Sequence, residues 1–219
     1  MIENINEYID HTCLSPSSTD EDIKRLCKEA IKYKFCSVCI NPSDISLAKE
    51  ILAKSGVRVC TVIGFPLGKS KTETKVCETE LALHDGCDEF DMVINVGWLK
   101  DGYDACVLND IKAVVNAACG HTVKVILETG LLSDSEIIRA VKLSCEAGAS
   151  FVKTCTGFSQ GKATLHAVEL MAKNVSCGVK VKASAGIRTY EEAEAFILAG
   201  ASRIGTSAGI QIMRAIMPE

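Results

Sequence analysis

Two lysines sit in sequence contexts where a lysine is costly. Lys153 follows Phe151 and Val152 in the stretch 151–157 (FVKTCTG), and Lys182 follows Val181 in the stretch 179–188 (VKVKASAGIR). Each lies in an apolar, β-prone run that breaks into a small-residue loop containing glycine. A buried ammonium must be desolvated or lose its proton. Two of them on neighbouring strands repel, which lowers the pKa of at least one. An amine that is neutral near pH 7 attacks carbonyl groups, so the pair points to Schiff-base chemistry. The alternative is two strand-end lysines whose tips reach solvent. Alternation along residues 89–95 puts Asp91, Val93 and Asn95 on one face and Phe90, Met92 and Ile94 on the other. An acid in that run needs a partner, which places Asp91 beside the lysines, as a proton carrier or as a structural counter-charge. Asp10, ending the first strand, and Glu128, ending the fifth, are weaker candidates of the same kind.

Three loops are small and rich in backbone donors: Thr156-Gly157, the run Ser184 to Arg188, and the run Gly205-Thr206-Ser207-Ala208-Gly209. Loops of this type after the last strands of a barrel, next to a helix start, hold phosphate, and Arg188 can add a charge-assisted contact. For any single glycine a tight turn is the alternative. Residues 64–70 (GFPLGKS) mimic a nucleotide-binding loop, but three residues separate the glycines where four are required, and Pro66 removes a donor. His11, His84, His121 and His166 lack metal-ligand spacing. The twelve cysteines are scattered, many (Cys60, Cys87, Cys106, Cys145) at apolar positions where Cys acts as a small hydrophobe. The single CxxC, Cys36 to Cys39, falls in a strand, where residues three apart face opposite ways. Neither a zinc knuckle nor a disulfide framework follows; reduced thiols do. Ser37, Cys39 and Asn41 share a face, so if Val38 and Ile40 pack on helices, Cys39 points into the space that holds the reactive lysine.

The elements that must position these groups alternate from end to end. Strands are predicted at 8–12, 37–41, 57–63, 89–95, 123–128, 151–155, 179–184 and 203–207, with helical segments between them. Thr19-x-x-Asp22, Ser133-x-x-Glu136 and Thr189-x-x-Glu192 are helix-start signals, and Gly56, Gly86, Gly120, Gly148 and Gly200 follow helix ends. Near-continuous apolar strands fit a parallel sheet covered on both faces. Eight βα units in 219 residues give an α/β fold, a single-domain (β/α)8 TIM barrel over 1–219 with its site at the C-terminal ends of the strands. Hydrophobic residues make up 47% and charged ones 24%, with a net charge of -4, which argues against disorder, nucleic acid and anionic membranes as partners. The first residues lack a signal-peptide pattern, and no apolar run reaches bilayer length, so a soluble cytoplasmic protein is expected.

Seven stretches in order carry a resemblance: 9–12 (IDHT), 61–69 (TVIGFPLGK), 88–97 (DEFDMVINVG), 124–130 (KVILETG), 151–157 (FVKTCTG), 181–189 (VKASAGIRT) and 203–207 (RIGTS). Over nearly its whole length the chain resembles the 2-deoxyribose-5-phosphate aldolases, (β/α)8 class I aldolases that use no metal and no cofactor. The resemblance implies reversible joining of acetaldehyde to D-glyceraldehyde 3-phosphate, in deoxyribonucleotide catabolism, by a homodimer or homotetramer. It implies that Lys153 forms the Schiff base, that Lys182 tunes it and assists proton transfer, and that Asp91 shuttles protons through water. Gly157, Gly186, Arg188, Gly205 and Ser207 match the phosphate site, with Asp10, Cys39, Thr156 and Thr206 beside them. Phe158 stands where some members have lysine, and Ala185 and Ala208 stand where some have glycine and serine. The chain ends at Met217, Pro218 and Glu219, without the tyrosine tail of some members. Another Schiff-base sugar-phosphate aldolase, a transaldolase-like barrel and a non-catalytic phosphosugar-binding barrel are the rival readings. On this reading Asp91→Asn slows turnover in an intact fold.

Overall fold

The computed structural model describes residues 2–159 and 161–216; residues 217–219, on which the expectation about a tyrosine tail falls, lie outside them. Eight parallel strands close into a barrel in sequence order. They are β1 Ile9–Cys13, β2 Ser37–Ile40, β3 Arg58–Ile63, β4 Glu89–Val93, β5 Thr122–Ile126, β6 Phe151–Lys153, β7 Lys180–Ser184 and β8 Arg203–Thr206. Around them lie α1 Asp20–Tyr33, α2 Ile45–Leu52, α3 Thr72–His84, α4 Val96–Lys100, α5 Asp104–Ala117, α6 Asp134–Glu146, α7 Leu165–Asn174, α8 Tyr190–Leu198 and α9 Gly209–Arg214. This is the (β/α)8 barrel expected from the alternation. No described helix is long and apolar enough to cross a membrane.

The large apolar core lies between strands and helices, built by Val38, Val59, Phe90, Met92, Val125, Val152, Val181 and Ile204 against helix residues such as Ile23, Ile111, Val141 and Phe196. The alternate positions point inward, and much of that interior is charged: Asp10, Glu89, Asp91, Lys124, Lys153, Lys182 and Arg203 are all buried. Layers of branched aliphatic residues are the usual filling of such a barrel. Here ion pairs occupy much of that space.

All three predicted helix starts form reciprocal capping boxes: Thr19 with Asp22, Ser133 with Glu136, and Thr189 with Glu192. Three strands end two residues short of the predicted runs; β5 stops at Ile126 and leaves Glu128, expected to end it, beyond the strand at a φ of 57°. β4 stops at Val93, because Asn95 turns to accept the N–H of Trp98 and caps α4. β6 stops at Lys153, and Thr154 then uses its hydroxyl on the Ser184 carbonyl at 2.9 Å. Cys106 was placed among the buried apolar cysteines and is exposed instead, on α5, whereas Cys60, Cys87 and Cys145 are buried. The GFPLGKS loop uses its backbone internally: the N–H of Gly64 binds Glu78 at 2.7 Å, and that of Gly68 binds the Gly64 carbonyl at 2.8 Å.

Candidate active site

Register brings the charged residues together. In the parallel ladders Asp91 lies beside Lys124, Lys153 beside Lys182, and Lys182 beside Arg203. Side chains then cross the barrel. Lys153 Nζ and Lys182 Nζ both donate to Asp91 Oδ2 at 2.7 Å, while Lys124 Nζ donates to Asp91 Oδ1 at 2.8 Å. Lys182 also meets Asp10 Oδ2 at 2.5 Å, and Lys124 meets Glu89 Oε2 at 2.6 Å. Arg203 closes the lower end, with Nε on Asp10 Oδ1 at 2.7 Å and Nη2 on Glu89 Oε2 at 2.9 Å. Gly205 makes the crossing of Lys182 possible: a Cβ there would stand 3.0 Å from Lys182 Cε and 2.9 Å from Ser184 Cβ.

Burial works against each of these charges, and the partners overcome it. Lys124, Lys153 and Lys182 hold Asp91 well below the usual carboxylate range against its own desolvation. Lys182 and Arg203 do the same for Asp10, and Lys124 and Arg203 for Glu89. Conversely, Asp10 and Asp91 raise Lys182, Asp91 with Cys60 and Glu89 raises Lys124, and Asp10 with Glu89 raises Arg203, each against desolvation. Three buried carboxylates therefore face three cations held in their charged forms, and that set is balanced. Arg58 adds a contact to Glu89 at 3.2 Å from the solvent side. Lys153 is the fourth buried basic group of the network, against three buried carboxylates, and it shares its carboxylate oxygen with Lys182.

Lys153 is also the one member of this network that reaches the cavity of about 510 Å³ at the C-terminal ends of the strands. Thr156, Gly157, Gly186 and Arg188 line the same cavity, with Gly205, Thr206 and Ser207 and, from the end of β1 and the loop after it, Thr12 to Pro16. Thr156 is held by Glu128, its hydroxyl donating to Oε2 at 2.5 Å and its N–H at 3.2 Å. Ala185 and Gly186 have φ of 81° and 86°, the left-handed region that favours glycine, so alanine at 185 bears a backbone penalty its neighbour avoids. Phe158, half exposed, turns its ring edge-on to Phe65 at 5.2 Å.

Asp10 does not line the cavity. It lies fully buried at the base of the network, bonded to Ser37, Lys182 and Arg203. Cys39 is buried inside the barrel, as the alternation in β2 requires, in a small cluster with Leu14, Cys60 and Val62. The neighbouring Cys60 draws Cys39 below an ordinary thiol against its burial, whereas burial and the same neighbour push Cys60 well up, its own thiol donating to Asp91 Oδ1 at 3.1 Å. Cys39, Cys60 and Asp91 offer donor atoms within 4.8 Å of one another, the one such cluster among the described residues. Three lysine nitrogens already occupy the Asp91 carboxylate, those of Lys124 and Lys182 held charged, so a cation there would be repelled from its only anionic oxygen ligand.

Sequence reasoning missed Lys124, Glu89 and Arg203. The signals were present: Lys124 sits between Val123 and Val125 as Lys182 sits between Val181 and Ala183, and Glu89 shares a face with Asp91 two residues on.

The model of the DeoC/LacD family aldolases matches residues 5–217. The chain is 57% identical over 211 residues to a deoxyribose-phosphate aldolase of Bacillus cytotoxicus, covering 96% of this chain and 95% of that one. It is 56% identical over 210 residues to deoxyribose-phosphate aldolase 1 of Staphylococcus aureus (strain MRSA252), covering 96% of each. Among solved structures it is similar to the tetrameric deoxyribose phosphate aldolase from Aeropyrum pernix, with a TM-score of 0.91 and 34% identity, covering 97% of this chain and 90% of that one. An inward lysine at a cavity floor, its carboxylate partner and these likenesses agree, and the chain belongs to the DeoC/LacD family of aldolases.

Proposed function

We propose that this chain reversibly cleaves 2-deoxy-D-ribose 5-phosphate to D-glyceraldehyde 3-phosphate and acetaldehyde, as one cytoplasmic catalytic domain acting in a homodimer or homotetramer, in deoxyribonucleotide catabolism. The observation that carries the reading is the position of Lys153, which faces the cavity and shares a single carboxylate, while every other buried cation of the network pairs with two. Neutral Lys153 attacks the C1 aldehyde of the open-chain sugar, and loss of water from the carbinolamine gives an iminium ion. Asp91, ionised, accepts protons through water, and Lys182, cationic, returns them. The C3 hydroxyl loses its proton, the C2–C3 bond breaks, and its electrons pass into the iminium to form an enamine. The C2–C3 bond is the one that breaks because acetaldehyde carries away C1 and C2. Glyceraldehyde 3-phosphate leaves, the enamine is protonated at C2, and hydrolysis frees acetaldehyde. The phosphate, held by Gly157, Gly186, Arg188, Gly205 and Ser207, is remote from the reacting carbons, so its binding energy serves orientation.

Borohydride reduction in the presence of 2-deoxyribose 5-phosphate, followed by peptide mapping, tests the assignment. A reduced adduct on Lys153 is expected, and Lys153→Arg, whose guanidinium stays protonated, should form none. An adduct on Lys182 with Lys153 unmodified would exchange their roles.

A further inference from the structure

Phe158 puts a phenyl ring at the phosphate end of the cavity, and Arg188 is left as the one cation among the residues that line it apart from Lys153. A second cation stands just outside that lining. Next to it in sequence, the N–H of Ala163 donates to the Ala185 carbonyl in the β7 loop at 3.1 Å. Gly161 packs so tightly on Gly130 that a Cβ on Gly130 would come within 2.5 Å of its Cα. These two contacts, one on each side of Lys162, fix where its side chain starts. The Lys162 stem then lies along Gly186: Cβ, Cγ and Cδ are 3.5, 3.3 and 3.1 Å from the point a Gly186 Cβ would occupy. Gly186, with φ of 86°, lines the cavity, so a side chain here would both strain the backbone and displace the lysine.

Glu192 is the carboxylate that both Arg188 and Lys162 act on. Its Oε2 is already committed to the N–H groups of Arg188 at 2.7 Å and Thr189 at 3.1 Å. Arg188 and Lys162 thus bring two cations beside a loop of left-handed residues, while the carboxylate both act on is held by backbone N–H groups, and Lys162 is exposed with its stem against Gly186. A phosphomonoester dianion is the ligand class that such a rim selects.

We propose that Lys162 is a specificity-determining residue, its ammonium closing over the phosphate of the sugar from the far side of Gly186 and supplying the charge that Phe158 does not. The inference rests on the reaction proposed above and deepens it. It assigns to the β6 loop a phosphate contact made by a residue outside the seven stretches that carry the family resemblance.

The test is the ratio of kcat/KM for 2-deoxyribose 5-phosphate to kcat/KM for unphosphorylated 2-deoxyribose, in the full chain and in Lys162→Ala and Lys162→Arg. Loss of one charge-assisted contact should lower the ratio in Lys162→Ala by about tenfold to a hundredfold, chiefly through KM for the phosphorylated sugar. Lys162→Arg should restore most of it. An unchanged ratio in Lys162→Ala, or an equal loss on both sugars, would overturn the assignment while leaving the aldolase reading in place. A wild-type chain that cleaves neither sugar would remove both, and one that cleaves both equally well would leave no phosphate preference for Lys162 to supply.

Discussion

Removing the charge of Lys182 while keeping its bulk, as Lys182→Met, tests the balance argument directly. Lys153 Nζ and Lys182 Nζ each lie 2.7 Å from Asp91 Oδ2, so they are at most twice that distance, 5.4 Å, apart. At an effective dielectric near 20, two like charges at that separation repel by about 3 kcal/mol. Asp10 and Asp91 keep Lys182 charged, so this repulsion acts on any proton that Lys153 carries. Without Lys182, three carboxylates face Lys124 and Arg203, and a proton on Lys153 becomes the missing counter-charge. The acid limb of the activity profile should then move to higher pH by about two units, a loss of about a hundredfold near neutral pH that recovers on the alkaline side. The assay is kcat/KM for cleavage of 2-deoxyribose 5-phosphate across the pH range, with imine trapping at each pH to isolate the Schiff-base step. A loss of the same size at every pH would refute the electrostatic account and leave direct proton transfer as the work of Lys182.

Asp91→Asn is expected to abolish turnover and, contrary to the sequence-based expectation of an intact fold, to lower stability by about 3–5 kcal/mol in urea titration, because three lysines converge on the one carboxylate; wild-type stability in that variant would contradict it. Asp10, Glu89 and Asp91 ionise more readily folded than unfolded, so their contribution is present above about pH 4 and drains away as the pH falls, while that of Lys124 and Lys182 is present below about pH 10 and is lost as the pH rises beyond it. Urea midpoints should hold a plateau between those limits and drop on either side, and a midpoint that climbs below pH 4 would show that the pairs do not govern stability. Concentrated acetaldehyde should inactivate the enzyme by joining Lys153 to Cys39 through an unsaturated aldehyde, seen by peptide mass spectrometry, and Cys39→Val should resist; equal inactivation of that variant would show the buried thiol to be a bystander.

The eight strands could be read from their apolar runs, and three helix starts from their capping residues, because both signals are local. Asp91, Lys153 and Lys182 were legible for a related reason: a charge inside an apolar run is conspicuous whatever surrounds it. What a charge meets is another matter. Asp10 reads as a strand-end residue facing the mouth, yet it is only the second residue of β1, level with Ser37 at the start of β2, and its carboxylate is taken up by Lys182 and Arg203. Arg203 opens β8 and gives no hint that it spans Asp10 and Glu89 from two other strands. Lys162 lies in a stretch with no periodicity, and only the return of the loop onto Gly186 gives it a place.

An interior filled with ion pairs also changes how the molecule responds to temperature. Unfolding an aliphatic barrel core exposes apolar surface and raises the heat capacity, whereas exposing charged and polar groups lowers it. The seven charged side chains buried inside this barrel therefore subtract from the heat-capacity change, which flattens the curve of stability against temperature. The penalty for keeping those groups out of water also shrinks on heating, since hydration of ions becomes less favourable as temperature rises. The same side chains that ready one amine for chemistry should broaden the range of temperature over which the barrel stays closed.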